Sequence, residues 1–281
     1  MFLPWVKSKL ENLMMEQQVP AGKDLYLSVN YAVCQDIRVI SSGLNLPLRG
    51  LVSWKGQEVN VAAIPTGADP DVGAESEEMV YLGISDFFLN SYAAALYKAE
   101  AMEKKLNLDN AYVKFWRNIK KIKHRNEDIN AEIQIRELPI IHINREEGIS
   151  VRPRVRVQFI SGEKKPKQFQ DVTVECKIAV QIEVKENKLT IPLDKIKCKL
   201  ETNVVMEWLT KKPLTRVIKN MLYDVLKEGV PIPLPPNINL IQGPAHYRDG
   251  FMVLAGSVNW TAEAMKTLAE QMRDHVFRML E

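Results

Sequence analysis

Between Val172 and Val184 the chain alternates, with Ala179 the one departure. Val172, Val174, Cys176, Ile178, Val180, Ile182 and Val184 fall on one side, and Thr173, Glu175, Lys177, Gln181 and Glu183 on the other. A period of two is that of a β-strand, and a strand this long with one apolar face must cover something apolar along most of its length. A two-residue turn at Glu186-Asn187 brings the chain back and pairs Ile182 with Ile191 and Val180 with Leu193. On the return the phase reverses: Ile196, Cys198 and Leu200 are apolar, whereas Lys195, Lys197 and Lys199 are not. One extra residue near Asp194 repairs the register, so the sequence predicts a β-bulge there. Cys176 then stands directly opposite Cys198, between the pairs Ile178–Ile196 and Val174–Leu200. Opposite residues lie about 4.5–5.5 Å apart at Cα, inside disulfide reach. A Cys176–Cys198 disulfide and two thiols filling an apolar site are both open, and Cys34 is left without a cysteine partner.

The helical patterns lie elsewhere. In Met79–Met102, MVYLGISDFFLNSYAAALYKAEAM, a strand-like run ends at Gly83 and Ser85 stands at a helix N-cap, with Asp86 favourable against the helix dipole. The helix expected over Ser85–Met102 carries Phe88, Tyr92, Leu96 and Ala99 as one bulky stripe on an alanine-rich cylinder. A second amphipathic helix is predicted over Leu214–Leu226, with Pro213 in its first turn and Gly229 past its end. A third runs from about Ala262 to Leu280, where Met265, Leu268, Met272, Val276 and Met279 share a stripe. The end of a further helix is predicted over Ser8–Gln18, stopped near Pro20. Strands are predicted at Leu25–Val33, Leu44–Trp54, Ile129–Ile135, Val151–Phe159, Ile238–Ile241 and Phe251–Val258, with an extended proline segment at Val230–Pro236.

Several function classes are disfavoured. A net charge of +3 over 281 residues gives no whole-protein drive toward nucleic acid. No apolar run reaches the roughly 18 residues of a membrane-spanning helix. The opening MFLPWVKSKLENLMM is too interrupted for a secretory signal, so either the protein is cytosolic or the chain lacks its natural beginning. Three cysteines without C-x-x-C spacing argue against zinc and dithiol chemistry. His124, His142, His246 and His275 lie in a basic segment, a strand, a loop and the tail, without metal-ligand spacing, and no nucleophile-elbow or phosphate-loop pattern occurs. No catalytic residue and no metal site is assigned. The basic segment Lys114, Arg117, Lys120, Lys121, Lys123 and Arg125 surrounds Phe115 and Trp116 and could dock on anionic headgroups. Glu127 and Asp128 follow directly, which favours a solvated face instead. Asn259-Trp260-Thr261 is a glycosylation acceptor triplet, a pattern that also arises by chance.

Four stretches carry a resemblance: Met79–Met102, the return strand LDKIKCKLE (Leu193–Glu201), GVPIPLPPNINLI (Gly229–Ile241) and DGFMVLAGSV (Asp249–Val258). In this order they resemble the C-terminal domain of the bactericidal/permeability-increasing protein family, with its lipopolysaccharide-binding, phospholipid-transfer and cholesteryl-ester-transfer members. The resemblance implies an α+β fold: a long twisted antiparallel sheet wrapped around the long amphipathic helix Leu214–Leu226, forming an elongated lipid-binding tube. That domain would span residues 25–260, after a remnant of a preceding helix and linker (1–24) and before a C-terminal amphipathic helix (261–281). Members carry a homologous N-terminal domain first, so the chain resembles the C-terminal half of such a protein, and its tail is longer than most.

The implied activity is non-enzymatic binding of phospholipid-like acyl chains, with lipid transfer or innate-immune recognition of bacterial lipid in the full-length parent. The implied ligand is a phospholipid or fatty acid rather than a cofactor. The partners are lipid, a membrane or lipoprotein surface and the missing N-terminal domain, and the setting is extracellular. The tunnel lining is expected from Phe88, Tyr92 and Leu96, from Ile178, Val180 and Ile182, and from Ile218, Met221, Leu222 and Val225. No charged anchor is visible among them. The alternative is an interaction module whose tube is filled by its own side chains and whose tail or outer surface binds a protein partner.

Overall fold

The computed structural model describes residues 16–22, 24–36, 38–40, 43–65, 80–107, 129–161, 167–185, 188–190, 197–201, 230–231, 238–240, 245–256 and 258–260. These residues form mostly antiparallel sheet, with one α-helix, α1 (Asp86–Lys98). The helix expected at Leu214–Leu226, the tail helix and the bulge residue Asp194 lie outside the described residues.

The first sheet has the order β1-β2-β5-β6, from β1 (Gln17–Gly22), β2 (Leu25–Asn30), β5 (Leu51–Trp54) and β6 (Gln57–Glu58). A short hairpin, β3 (Arg38–Ile40) and β4 (Gly43–Asn45), stands between β2 and β5 in sequence. The expected strands Leu25–Val33 and Leu44–Trp54 do pair: beyond the β2–β5 ladder, Val33 bridges Leu48, and the Arg49 amide donates to the Ala32 carbonyl at 3.0 Å. Gln17 and Gln18 belong to β1, which corrects the helix expected to end there. Pro20 does not stop a helix. It sits in a strand at the sheet margin, where a missing amide costs no ladder bond.

The second sheet contains β8 (Lys104–Asn107), β9 (Ile129–Ile135), β10 (Ile141–Asn144), β11 (Gly148–Val151), β12 (Arg154–Ser161), β13 (Lys167–Val180) and β16 (Lys197–Glu201). β11 and β12 share one register against β13, Val151 facing Ile178 and Arg154 facing Glu175, so they make one ribbon interrupted at Arg152-Pro153. The interruption follows from Pro153. Its carbonyl still accepts the Cys176 amide at 3.2 Å, but without an N–H it cannot return the second bond of that pair to the Cys176 carbonyl.

The long hairpin is present, with a corrected register. β14 (Glu183–Lys185) and β15 (Lys188–Thr190) pair across the predicted two-residue turn. Continuing that register would set Ile178 against Lys195. It faces Cys198 instead, three residues further on, and Cys176 faces Leu200. The slip is therefore three residues rather than one. Both numbers are odd, and an odd slip returns Cys198 and Leu200 to the face shared by Cys176 and Ile178. Cys176 and Cys198 are consequently diagonal, not opposite. Diagonal positions in a ladder lie about 7–8 Å apart, too far for a disulfide, and Cys176 carries a thiol.

A third sheet, β19-β20-β7, combines β7 (Val80–Ser85), β19 (Ala245–Arg248) and β20 (Phe251–Gly256). β17 (Val230–Pro231) pairs β15, and β18 (Ile238–Leu240) pairs β21 (Val258–Trp260).

Ser85 is the N-cap of α1, but its side chain makes no capping bond; the Asp86 amide instead donates to the Gly250 carbonyl at 2.9 Å. The helix also ends at Lys98 rather than Met102. Glu100 takes φ +54°, and the amides of Glu100 and Ala101 donate to the carbonyls of Tyr97 and Leu96. This is a Schellman stop built on a residue other than glycine.

Candidate functional site

The second sheet presents one broad apolar face. Cross-strand register places Ala131, Ile133 and Ile135 of β9 with Phe159, Val157 and Val155 of β12, and sets Val157 and Val155 against Val172 and Val174 of β13. Ile143 and Ile141 of β10 continue it through Ile149 and Val151 of β11 to Val180 and Ile178 of β13, and Cys198 and Leu200 of β16 extend it. Across these positions no polar residue interrupts. Polar residues return at the margins, at Lys104 opposite Ile133, Gln170 opposite Phe159 and Ser161 opposite Ile129. Ile133, Ile143, Val155, Val157, Phe159, Cys176, Ile178 and Val180 are all buried.

The opposite face is charged and internally paired. Arg154 holds Glu175 at 2.9 Å and Glu137 at 2.6 Å, Lys105 holds Glu132 at 2.6 Å, and Arg156 pairs with Asp171 and Lys177 with Glu147. Hydrogen bonding to Glu175 first, then the Glu137 and Glu175 charges, hold the exposed Arg154 guanidinium above its ordinary pKa. With their charges matched across the strands, these side chains are a solvated outer wall.

The expected lining residues divide between two places. Ile178, Val180 and Ile182 are buried in the hairpin; Ile182 lies just past β13, where its amide leaves the ladder and donates to the Tyr247 hydroxyl at 2.7 Å. Burial, above all, pushes the Tyr247 phenol up. Gly148 makes room beside this junction: at φ +79°, a Cβ there would lie 2.8 Å from the Val180 carbonyl and 3.4 Å from the Tyr247 ring. Phe88, Tyr92 and Leu96 pack, partly buried, against the cluster of the first sheet, which includes Leu27, Val29, Tyr31, Leu51 and Val52. Burial pushes the Tyr92 phenol up to about 12. Ile218, Met221, Leu222 and Val225 lie outside the described residues. Asn259 stands in β21 opposite Asn239. His142 and His246 are exposed on β10 and β19, which corrects the loop expected for His246; His124 and His275 are outside the described residues.

The most deeply buried side chains of α1 are polar or small, which the bulky stripe did not foretell. Asn90 is 3% exposed and Ser91 0%. The Asn90 amide donates to the carbonyls of Asp86 and Ile141 and accepts the Ile141 N–H, each at 2.8 Å, so it serves as a strand partner for the margin of β10. The Ser91 hydroxyl accepts the Val52 amide of β5 at 3.2 Å and donates to the Phe88 carbonyl at 2.9 Å. Adjacent residues thus fasten the helix to a strand of each large sheet: to the edge strand β10, and to β5 beside its short pairing with β6. At the helix start Asp86 is 8% exposed and its Oδ1 has no hydrogen-bond partner among the described residues. Burial raises its carboxyl pKa; the Phe87 amide, His142 and its own amide pull the other way. An Asn-Ser pair inside an alanine-rich helix was the available signal for this arrangement.

The described residues thus form an antiparallel β domain with a wide, buried aliphatic face and an outer face of paired charges. Among the described residues no helix is long and apolar enough to cross a membrane. The chain belongs to the LBP / BPI / CETP family, whose C-terminal domain model matches residues 22–260. That match spans all four stretches that carried the resemblance. The chain is similar to the human phospholipid transfer protein, with 22% identity over 94% of this chain and 57% of the relative. It is also similar to the crystal structure of lipopolysaccharide binding protein, with 17% identity, a TM-score of 0.43, and coverage of 88% of this chain and 57% of that one. The chain thus spans 57% of the length of either relative.

Proposed function

We propose that this chain binds lipid through its acyl chains, against the apolar face of β9–β13, and that within a longer protein it contributes to lipid transfer or to recognition of bacterial lipid. The observation that carries the reading is the run of apolar residues across that face without a polar interruption from Ala131 to Val180. Family membership and the name of the phospholipid transfer relative support it. A surface without a fixed charge cannot select a headgroup, but it suits methylene chains, whose burial stabilises by about 0.8 kcal/mol per CH₂. Sixteen carbons would gain roughly 10 kcal/mol before the cost of ordering the chain. Chain length and shape would then set preference, and the headgroup would stay at the mouth.

Native mass spectrometry of freshly purified protein, followed by organic extraction, tests whether lipid co-purifies. In the second arm Ile178→Glu places a carboxylate on the apolar face, at a cost of several kcal/mol unless it protonates. Uptake of a fluorescent phospholipid should fall in that variant. If the folded wild type neither carries nor takes up lipid, the interior is filled by its own side chains and an interaction module replaces this reading.

A further inference from the structure

Tyr31 stands apart from the paired polar groups around α1. It is 4% exposed, and its hydroxyl has no hydrogen-bond partner among the described residues. The pairing that joins Ala32 to Arg49 and Val33 to Leu48 puts Tyr31 opposite Gly50, on the face shared with Leu27 and Val29. Gly50, at φ +62°, leaves the space above it to Phe88; a Cβ there would lie 3.4 Å from the Phe88 ring. The other buried members of the cluster are aliphatic, from Val19 and Leu27 to Ala94 and Ala95. Burial pushes the phenol above its ordinary pKa, so it stays protonated and remains a donor. A donor buried without an acceptor destabilises a fold, which calls for an acceptor that arrives from outside. Phe87, Phe88, Tyr92 and Leu96 of α1, together with Ala21, Trp54 and Leu138, border the cluster and are only partly buried.

The geometry points to the Tyr31 hydroxyl as the polar anchor of a lipid site on the helix side, donating a hydrogen bond to an ester carbonyl of an acyl lipid seated against Phe88, Tyr92 and Leu96. The acceptor has to be uncharged, because the cluster holds no cation to neutralise a phosphate or carboxylate. An ester carbonyl meets that requirement and lies at the head of an apolar chain. The inference rests on the lipid-binding reading above and adds a point of chemical selection that the aliphatic sheet face lacks.

The test compares dioleoyl phosphatidylcholine, which is ester-linked, with its ether-linked analogue, each binding to the wild type and to Tyr31→Phe. Removing a neutral hydrogen bond should weaken ester-lipid binding by about two- to tenfold. Ether-lipid binding should not change, so the variant loses the ester preference that the wild type has. The thermal midpoint of the lipid-free variant should equal or exceed that of the wild type, since phenylalanine leaves no orphaned donor. An unchanged ester-to-ether ratio overturns the anchor while leaving lipid binding intact, the hydroxyl being then unpaired or bonded to water. Equal weakening toward both lipids overturns it too, because the residue is then only structural. If the wild type binds neither lipid, the function proposed above fails first.

Discussion

Replacing Asn90 by alanine probes whether a side chain can stand in for a strand. The residue is 3% exposed and its amide group makes three contacts of 2.8 Å, one to Asp86 and two to the backbone of Ile141. Alanine removes all three and leaves the Ile141 N–H and C=O without the partner that Asn90 supplies. An orphaned buried group costs about 1–3 kcal/mol. Alanine's better helix propensity returns roughly 0.5 kcal/mol, and partial relaxation returns some more. A net loss of about 3 kcal/mol is expected, which for a domain of this size lowers the melting midpoint by roughly 6–12 °C. Hydrogen exchange gives the sharper readout. The Ile141 amide should lose its protection in Asn90→Ala, while amides held within the β10–β11 ladder lose only what the global destabilisation takes. Asn90→Asp, which keeps the acceptor but sets a carboxylate against the Ile141 carbonyl, should be no better than alanine. A midpoint within about 2 °C of wild type, or an Ile141 amide that stays protected, would show that the side chain does not partner the strand.

Two further substitutions follow from the same geometry. Asp86 has a carboxyl pKa raised chiefly by burial, so folding favours its protonated form. Its contribution is fully present below the ordinary carboxylate pKa of about 4 and is lost as pH rises through the raised value. Asp86→Asn should therefore flatten the melting midpoint over that window and be the more stable protein at pH 7; a less stable variant there would mean that attraction of the carboxylate to the helix dipole outweighs its desolvation. Gly148→Ala should cost roughly 2 kcal/mol or more, because strain at φ +79° adds to a 2.8 Å approach to the Val180 carbonyl. Gly56→Ala, at φ +71° with nothing within 4 Å, should lose only the backbone part; equal losses in urea denaturation would refute the close-approach argument.

The strands were legible because their evidence is periodic. Ile129–Ile135 coincides with β9, and the alternation from Val151 to Phe159 runs through β11 and β12 despite Pro153. The hairpin shows the limit of such evidence. A reversal of apolar phase reports whether the number of inserted residues is odd, and both one and three satisfy it. The faces were therefore assigned correctly while the partner of Cys176 was not. Signals at chain ends were weaker for a similar reason. Pro20 is compatible with a helix stop or a marginal strand, and only pairing with β2 decides between them. The stop of α1 rests on Glu100 in a left-handed conformation that no glycine announces. The β19–β20 hairpin was signalled by Asp249-Gly250, a turn pair that frequently joins strands, and only its second strand was read.

Around the candidate site, burial was legible where hydrophobicity alone decides position and less so where backbone groups compete for partners. On β13 nothing but side-chain polarity selects a face, and Ile178 and Val180 are buried as expected. On α1 the bulky stripe of Phe88, Tyr92 and Leu96 was expected to line a tunnel; it packs partly buried against the first sheet, while Asn90 and Ser91 hold the deepest positions. The magnitudes explain the inversion. Full burial of a large apolar side chain is worth about 1.5–3 kcal/mol, and a partly buried ring already gains much of that. A sheet margin pressed against an aliphatic helix would strand a donor and an acceptor at Ile141 and a donor at Val52, at about 1–3 kcal/mol each. One amide group answers the first two and one hydroxyl the third. Where one side chain satisfies buried backbone groups, the polar residue outcompetes the apolar one for the innermost place, and the bulky stripe is left at the partly exposed border where a ligand could meet it.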